Sequence, residues 1–413
     1  MSIPTRTRET VEYAPMLTTL GEGDTGVGSV ASDTEDARSK SMIRLGSRNS
    51  ERVCTQHYNF HGIFRLAITT DDPAALRYFN QEYGAFEDSA PGTPDLLVNV
   101  GRFSMTPQAD DRTFGKYRLT GEWIYGSARY KVAWWRFALC GMTSPTTELV
   151  FYGGLFAPYF LQHFLIEQIM RYKIVQKGFV LVHGGCVADR GNSVIFPGLG
   201  HAGKTALAVQ QVQAGRKFQA DDYTFVSASG NTYSYPRRLH VSDHTKEAFP
   251  EAVRNLKMRH RFSIKVKSLI YYMTLKYGDL DEALQMEELV PGTIVEDVAR
   301  LGAAILLTAI DGDKLKGPTP LDPDTLVTRM TAINCLEGKP FNDILLGLNY
   351  YGKAPSPGEL WGRERDVLRR ALITVAGYEV LVPTHAPRPA ATVESTGRIM
   401  NGLLERMDHA VLV

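Results

Sequence analysis

The sequence predicts a mixed α/β protein that consists of a short N-terminal tail, a smaller α+β module and a larger C-terminal domain. Three observations lead to this prediction. The chain has 413 residues, which is typical of two domains. Apolar residues make up 44% and charged residues 22% of it, the proportions of a globular protein with a sizeable core. Patterns typical of strands and helices alternate from about residue 57 onward, and they place the segments at 1–50, 51–176 and 177–413.

Charge and cysteine content narrow the class of protein. The formal net charge is +1, so the composition favours neither a nucleic-acid partner nor an acidic tail. The four cysteines form no CxxC motif, which argues against a disulfide scaffold or a zinc ribbon. The apolar stretch 155–175 carries Glu167, Arg171 and Lys173, and such dense charge does not suit a lipid span. Because no apolar signal sequence opens the chain, these features predict a cytoplasmic protein without a membrane partner.

The first two segments differ in pattern. Residues 1–50 predict a disordered tail, because Ser, Thr, Gly, Asp and Arg dominate and no hydrophobic period develops. The module at 51–176 has mixed α+β character, and its first helix is expected to be capped by Asp71 or Asp72. The predicted elements of this module are strands at 58–60, 63–68, 95–100, 117–119, 130–135 and 149–152, and a helix over 155–175.

The third segment opens with the clearest succession of elements in the chain. The residues between the first two strands have the composition of a hairpin turn, and Gly215 is placed to close the helix that follows. In chain order the predicted elements are a strand over 179–183, a turn at 189–192, a strand over 193–196, a helix over 205–214, a strand over 217–220, a strand over 303–310, a helix over 359–377 and a strand over 378–382. The strand at 193–196 leads directly into a glycine-rich loop.

That loop matches the phosphate-loop motif GxxxxGK[ST]. Glycines let backbone N–H groups turn toward phosphate oxygens, and the helix that follows directs its positive end at the same anion. Lys204 would contact the β- and γ-phosphates, and Thr205 would offer its hydroxyl to Mg²⁺. The loop therefore predicts a nucleoside triphosphate, ATP, and Mg²⁺ as bound groups; the alternative is a glycine-rich turn with a surface lysine. The residues assigned to the nucleotide are Gly198, Gly200, His201, Ala202, Gly203, Lys204 and Thr205.

Two adjacent acids follow the loop closely. Asp221 lies 17 residues after Lys204, and with Asp222 it ends the predicted strand at 217–220. Ligands of α/β sheets bind at such strand ends. One carboxylate can hold Mg²⁺ and the other can accept a proton from an attacking hydroxyl, so both are catalytic candidates together with Lys204. Thr205 and Asp222 are the candidate metal ligands, although the pattern does not divide the two roles between the acids. The alternative is an acidic pair that caps a turn.

Histidines and arginines near this loop complete the candidate set. His183 ends the strand at 179–183 and is a catalytic candidate, because it can hydrogen-bond an aspartate, a phosphate or a metal; an ordinary polar residue at a strand end fits the position equally well. His201 is interpreted as tolerated rather than catalytic. Arg237 and Arg238 follow a strand and suit either a phosphate clamp or surface salt bridges.

Together these residues resemble the C-terminal domain of the HPr kinase/phosphorylase family and its HPr-kinase-like relatives. The segments that carry the resemblance are 181–187 (LVHGGCV), 198–205 with its GxxxxGKT pattern, 220–223 (ADDY) and 235–239 (YPRRL). The resemblance implies a P-loop core sheet of the HPr-kinase-like or PEP-carboxykinase-like type, in which Lys204 and Thr205 serve phosphate and Mg²⁺. It implies that Asp221 and Asp222 supply the base and a metal contact, that His183 assists them, and that copies of the chain associate. His201-Ala202 departs from the Ser-Gly-like pair of the family.

Two functions follow as expectations. The first is an Mg²⁺- and ATP-dependent kinase that transfers the γ-phosphate to a hydroxyl of a protein, peptide or small-molecule acceptor, with acceptors other than HPr favoured. The alternative is a protein that binds or senses nucleotide without transferring phosphate. A nucleic-acid partner is disfavoured, although the stretch 252–278 holds seven Lys or Arg and no acid. That stretch is interpreted as a solvated or substrate-facing helix.

Overall fold

A mixed α/β fold, as the sequence predicts, is present in the computed structural model. The structure describes residues 43–46, 53–90, 92–130, 133–200, 202–241, 248–273, 281–312, 314–383 and 392–402. Among the described residues, no helix is both long and apolar enough to cross a bilayer.

The N-terminal half of the described chain is built on one mixed sheet of eight strands, most of which pair antiparallel. Its elements in chain order are β1 (Ile43–Leu45), β2 (Cys54–Phe60), β3 (Phe64–Thr70), α1 (Pro73–Tyr83), a 3₁₀ turn (Gly84–Phe86), β4 (Leu96–Val100), β5 (Phe103–Met105), β6 (Arg112–Phe114), β7 (Tyr117–Thr120), β8 (Trp123–Tyr130), β9 (Ala133–Cys140), β10 (Thr147–Gly153), α2 (Ala157–Leu161), a π-helical turn (Gln162–Ile166) and α3 (Glu167–Val175). The sheet runs in the order β2-β3-β4-β10-β9-β8-β7-β6. Only the β3–β4 and β4–β10 pairings are parallel in it.

Local rules account for most of this half. Asp72 is the cap of α1, since its side chain accepts a hydrogen bond from the N–H of Ala74 at 2.8 Å. The predicted strand at 130–135 is wrong as a single element, because β8 ends at Tyr130 and β9 begins at Ala133. Tyr130, Ala133, Trp134 and Trp135 are apolar or aromatic on both sides of this break, so the pattern alone joined the two strands.

The predicted tail is described only over 43–46, and the rest of 1–50 lies outside the described residues. Within the described part, Ile43–Leu45 forms β1, which pairs antiparallel with β5. Ile43 also packs against a small apolar cluster that contains Phe103 and Trp123. Three residues with one apolar contact are too few to produce a readable sequence period, which explains why the pattern missed them.

The C-terminal half is built on a second sheet. Its elements are β11 (Phe179–Asp189), β12 (Asn192–Pro197), α4 (Lys204–Gln213), β13 (Lys217–Ala220), β14 (Tyr223–Ser227), β15 (Asn231–Tyr233), β16 (Leu239–Val241), α5 (Pro250–Asn255), α6 (Met258–Met273), β17 (Glu282–Leu284), α7 (Met286–Leu289), β18 (Val298–Ile310), β19 (Lys316–Leu321), α8 (Pro323–Glu337), α9 (Lys339–Tyr350), α10 (Pro357–Leu372) and β20 (Ala376–Pro383), and residues 392–402 are helical. The strand order is β12-β11-β14-β15-β18-β20-β19. β13 pairs with β11, and β12 also pairs with β18.

The two turns predicted around the loop are confirmed. Arg190 and Gly191 both have positive φ, at 48° and 80°, which is the backbone of the tight hairpin between β11 and β12. Gly215 has φ +92° directly after α4, and its N–H donates to the carbonyl of Val212 at 2.9 Å. Glycine ends the helix in this left-handed conformation at no steric cost.

The cores place α3 and α4 on different sides of the second sheet. α3 contributes to the larger apolar cluster, which also contains side chains of both sheets; in it the rings of Phe60 and Tyr235 lie 5.8 Å apart. α4 packs through Leu207 in a second cluster with Phe196 and Ile305. α8 and α9 belong to the larger cluster and were not predicted, although the buried residues Phe341, Ile344, Leu345 and Leu348 of α9 recur at helical spacing in the sequence.

Candidate functional site

The 198–205 loop leaves β12 and enters α4, and its backbone is held at both ends. Gly198 forms an isolated parallel bridge to Leu307 of β18. A Cβ at Gly198 would lie 2.8 Å from the carbonyl oxygen of Leu307, so only glycine fits this approach. Gly203 has φ +89° immediately before α4. The two outer glycines of the motif are therefore explained by close approach and by positive φ, and His201 lies outside the described residues.

Lys204 reaches back across the loop. Its ammonium donates to the carbonyls of Gly198 at 2.9 Å and Leu199 at 3.0 Å, and to Nε2 of His183 at 3.0 Å. The residue is only 7% exposed, and burial lowers its pKa against the opposing charges of Asp222 and Asp221. The side chain thus links the loop to the middle of β11, which continues past His183 to Asp189. The predicted end of this strand at His183 is therefore wrong, because residues 184–189 carry the strand on by pairing with β12.

His183 is held in a fixed position. Its backbone N–H donates to the side-chain oxygen of Asn334 at 3.1 Å, and its ring meets that of Tyr223 at 5.2 Å. An ammonium can only donate, so Nε2 accepts from Lys204 and the ring proton lies on Nδ1, which is 3.4 Å from the Oδ1 atom of Asp222. Burial, reinforced by Lys204, lowers the pKa of His183.

Asp221 and Asp222 face different partners. The hydroxyl of Thr205 donates to Oδ2 of Asp221 at 3.0 Å, while Oδ1 of Asp221 is buried and has no hydrogen-bond partner among the described residues. Asp222 lies between His183 and Arg237, with its Oδ2 atom 3.6 Å from an Nη atom of Arg237. Its side chain is 36% exposed, whereas Asp221 is 8% exposed. The more accessible carboxylate is therefore the one paired with His183.

The two acids also differ in charge state. Burial, reinforced by the neighbouring Asp222, raises the pKa of Asp221 to about 7. Burial would raise the pKa of Asp222 as well, but the adjacent His183 and the charges of Arg237 and Lys204 hold it well below its usual range. Neighbouring carboxyl groups with separated pKa values are a frequent property of acid–base and metal sites.

Arg237 connects this site to α3 and α1. It is 3% exposed, which excludes the surface salt bridge considered from the sequence. One Nη atom lies 2.7 Å from Oε1 of Glu167, the other 3.1 Å from Nε2 of His163, and Nε lies 3.8 Å from Glu82. Although burial acts to lower it, Glu167 and the other surrounding acids hold the pKa of Arg237 well above its usual range. Arg237 therefore stays charged beside Asp222.

Sequence reasoning missed the acids that hold these cations. Glu167 is fully buried, and it was noted only as a charge that argues against a lipid span. Glu337, at the end of α8, lies 3.7 Å from Nε2 of His183. Arg238 donates to Glu82 at 2.6 Å, away from Asp222. The charges at Glu167, Arg171 and Lys173, set among apolar residues, were the available signal, because a buried charge requires a partner.

An aromatic cleft of about 1090 Å³ lies beside this cluster. Tyr159 lines it, and the Tyr159 ring lies 4.2 Å from the ring of His163, which in turn contacts Arg237. Trp134, at 43% exposure, also lines it. Further lining residues include Asp71, Asp72, Tyr78, Arg102 and Tyr152. Aromatic and charged groups thus meet in an open space next to the charged site.

The residues present fit Mg²⁺ with a phosphate better than a protein-only metal cage. No group of three or more His, Cys, Asp or Glu suited to a metal occurs among the described residues. Mg²⁺ commonly binds through one or two protein oxygens together with substrate phosphates. The unpartnered Oδ1 atom of Asp221 and the hydroxyl of Thr205 supply such oxygens.

No protein-family model matches this chain, and no curated protein matches it significantly. Its function is therefore argued from its own residues.

Proposed function

We propose that this chain is an HPr-kinase-like P-loop protein that binds ATP and Mg²⁺ and transfers the γ-phosphoryl group to a hydroxyl acceptor. One observation carries the proposal: Lys204, Thr205, Asp221, Asp222 and His183 meet through contacts of 3.0 to 3.4 Å at the start of α4. A glycine-rich turn alone would not require two acids, a histidine and a buried lysine at the same place.

Nucleotide binding is supported by the loop and by α4. The helix begins at Lys204 and directs its positive end at the loop, where an anion is stabilised. Lys204 can exchange its loop carbonyls for phosphate oxygens, since a phosphate is a stronger acceptor for an ammonium than a neutral carbonyl. Thr205 and Asp221 are the residues that would hold Mg²⁺, which supplies positive charge at the phosphates when bound.

We assign the proton-accepting role to Asp222. It is ionised near neutral pH, it is the more accessible acid, and His183 and Arg237 hold it from two sides. This division differs from the sequence-based choice of Asp222 as a metal ligand, and it rests on the bond between Thr205 and Asp221. In the reaction, the acceptor oxygen forms a bond to the γ-phosphorus, the β–γ bridging P–O bond breaks, and the acceptor proton passes to Asp222.

The acceptor would approach through the cleft that Tyr159 lines. Tyr159 connects this cleft through His163 to Arg237, which in turn contacts Asp222. The cleft is large enough for a peptide segment or a drug-sized molecule. Its aromatic lining favours acceptors that carry apolar or aromatic groups beside the reacting hydroxyl.

The experiment measures two properties separately. ATP binding with Mg²⁺ is followed by calorimetry, and transfer is followed with ATP labelled at the γ-phosphate, incubated with fractionated peptides and small molecules and read as a phosphoryl mass gain. Lys204→Ala is expected to weaken binding at least about tenfold, since one charged contact to phosphate is lost. Asp222→Asn is expected to keep binding and to lower transfer by about 10²–10⁴-fold.

Lys316→Ala and Asp189→Asn are matched controls outside the site and should change neither property. If wild type, Lys204→Ala and Asp222→Asn transfer the γ-phosphoryl group equally well, the proposed kinase activity of this site is disproved. Tight binding of ATP without transfer to any fraction would instead support the nucleotide-sensing alternative, which the engagement of Lys204 by its own loop favours.

A further inference from the structure

The helix α6 presents an apolar stripe to solvent. Its outward apolar side chains are Met258, Phe262, Val266, Leu269, Ile270 and Met273, with exposed fractions of 85%, 68%, 38%, 58%, 38% and 74%. Their spacing of three and four residues places them on one side of the helix over all of its turns. Soluble surfaces carry single exposed apolar residues as a rule, and a continuous stripe of this kind indicates a partner.

The opposite side of α6 fastens the helix to the body of the protein. Ile264 is 4% exposed and belongs to the core cluster around α4. The hydroxyl of Ser263 and the ammonium of Lys267 each donate to Oε2 of Glu282 at 2.6 Å, and Nδ1 of His260 lies 2.8 Å from Oε1 of the same residue. The helix therefore sits with its apolar stripe turned outward, held by β17.

Exposed Lys and Arg side chains lie beside this apolar stripe. Arg259, Arg261 and Lys265 of α6 are exposed, as are Arg254 and Lys257 just before it. The sequence 252–278 contains no Asp or Glu. Arg261 and Lys265 are one turn apart and border the stripe, and the ion pair that Arg259 makes with Glu288, at 3.6 Å, leaves its side chain 69% exposed. This surface is therefore both apolar and basic.

We infer that α6 docks the chain on an anionic membrane surface, with the helix parallel to the bilayer and the stripe at the boundary of the acyl region. An apolar face bordered by Lys and Arg is the composition of interfacial helices. The long stems of Arg261 and Lys265 would follow the apolar region while their charges reach lipid phosphates. Such docking needs no spanning segment, and it departs from the sequence-based expectation of no membrane partner.

Charge favours a lipid surface over a second copy of the chain. Two copies that pair through this stripe would bring their Arg261 and Lys265 side chains close together, and like charges on facing helices repel each other. An acidic amphipathic helix of another protein would match the charges, but a single such helix would not cover both the stripe and the basic residues that precede α6. An anionic lipid surface offers negative charge to each exposed cation of α6 and of the residues just before it.

The test uses the full chain without nucleotide, so its result is independent of the proposed kinase activity. Vesicles of phosphatidylcholine mixed with phosphatidylserine, and vesicles of phosphatidylcholine alone, are sedimented with the protein. We expect binding to the anionic vesicles only. The double variant Phe262→Ser with Leu269→Ser, and the double variant Arg261→Glu with Lys265→Glu, should each lower the partition coefficient at least about tenfold.

Matched controls are Ile373→Ser, an apolar residue that is 72% exposed elsewhere, and Lys316→Glu. Both should bind vesicles like wild type, and all variants should melt at the wild-type temperature. The inference is overturned by three results. They are equal binding of wild type and both α6 variants, a concentration-dependent dimer that the Phe262 variant abolishes, and failure of wild type to sediment with anionic vesicles while an acidic helical peptide binds α6.

Discussion

The charged site around Asp222 and the outer face of α6 differ in how their basic residues are placed: those of the site are buried and paired, and those of α6 are exposed. Arg237 is 3% exposed and has carboxylates on several sides, and Lys204 is 7% exposed and is held by carbonyls and His183. Arg261 and Lys265 stand in solvent beside apolar side chains. A buried charge survives only with partners, whereas an exposed one needs none. The partners of the buried cations are therefore visible in the structure, whereas Arg261 and Lys265 need none for stability and are free to contact the anionic surface that we infer.

The largest expected effect comes from removing an acid that pairs with a buried cation of the site. Glu167→Ala leaves Arg237 buried without its nearest acid, and loss of one partner of a buried pair costs about 3–5 kcal/mol in the free energy of unfolding. Urea unfolding measures this loss. Glu122→Ala is the control, since Glu122 pairs with Lys353 on the surface and should cost about 1 kcal/mol or less. Similar losses in both variants would show that burial does not separate the two kinds of pair.

A second effect of burial appears in the pH dependence of stability. Asp221 has a pKa of about 7 in the folded chain, above its ordinary value of 3.8, so the folded state holds this proton more tightly than the unfolded state. Its contribution to stability is complete below the ordinary pKa and is lost as the pH rises through 7. The difference between these two pKa values corresponds to up to about 4 kcal/mol in the free energy of unfolding.

Asp221→Asn removes this contribution. Thermal unfolding in chelator should therefore show that wild type loses stability between pH 4 and pH 7 relative to the variant. Parallel stability curves for the two proteins across this range would contradict the raised pKa of Asp221.

A smaller effect is expected from the loop backbone. A Cβ at Gly198 would press on the carbonyl of Leu307 and on Ala202, so Gly198→Ala should cost about 1–3 kcal/mol. Gly200 is the matched control in the same loop, because no atom lies within 4 Å of a Cβ placed there. Chemical unfolding of the two variants compares them directly, and equal stability would mean that the bridge to Leu307 does not constrain the loop.

The smallest expected effect belongs to α6. Lys265→Ala and Phe262→Ala should change the free energy of unfolding by no more than about 0.5 kcal/mol, because both side chains are exposed. Ile264→Ala on the buried side should cost about 2–4 kcal/mol. If Phe262→Ala proves as costly as Ile264→Ala, the stripe is part of the core rather than a docking surface.

Much of the fold could be predicted because its signals are local. The start of β11 at Phe179, the hairpin at Arg190 and Gly191, and the helix closed by Gly215 each follow from a few adjacent residues. The merged strand at 130–135 and the missed β1 show the limit of this approach. Alternation does not mark where one strand stops and the next starts, and three residues carry no period.

The sequence by itself determined that a glycine-rich loop joins a strand to a helix and that two acids directly follow a nearby strand. Backbone conformation and strand order along the chain are local properties, so motif spacing carries them. Only the tertiary structure decided that Thr205 bonds Asp221, that Glu167 holds Arg237 beside Asp222, and that the two acids differ in pKa. Burial and partners distant in sequence set these properties, because they depend on which charges lose water together.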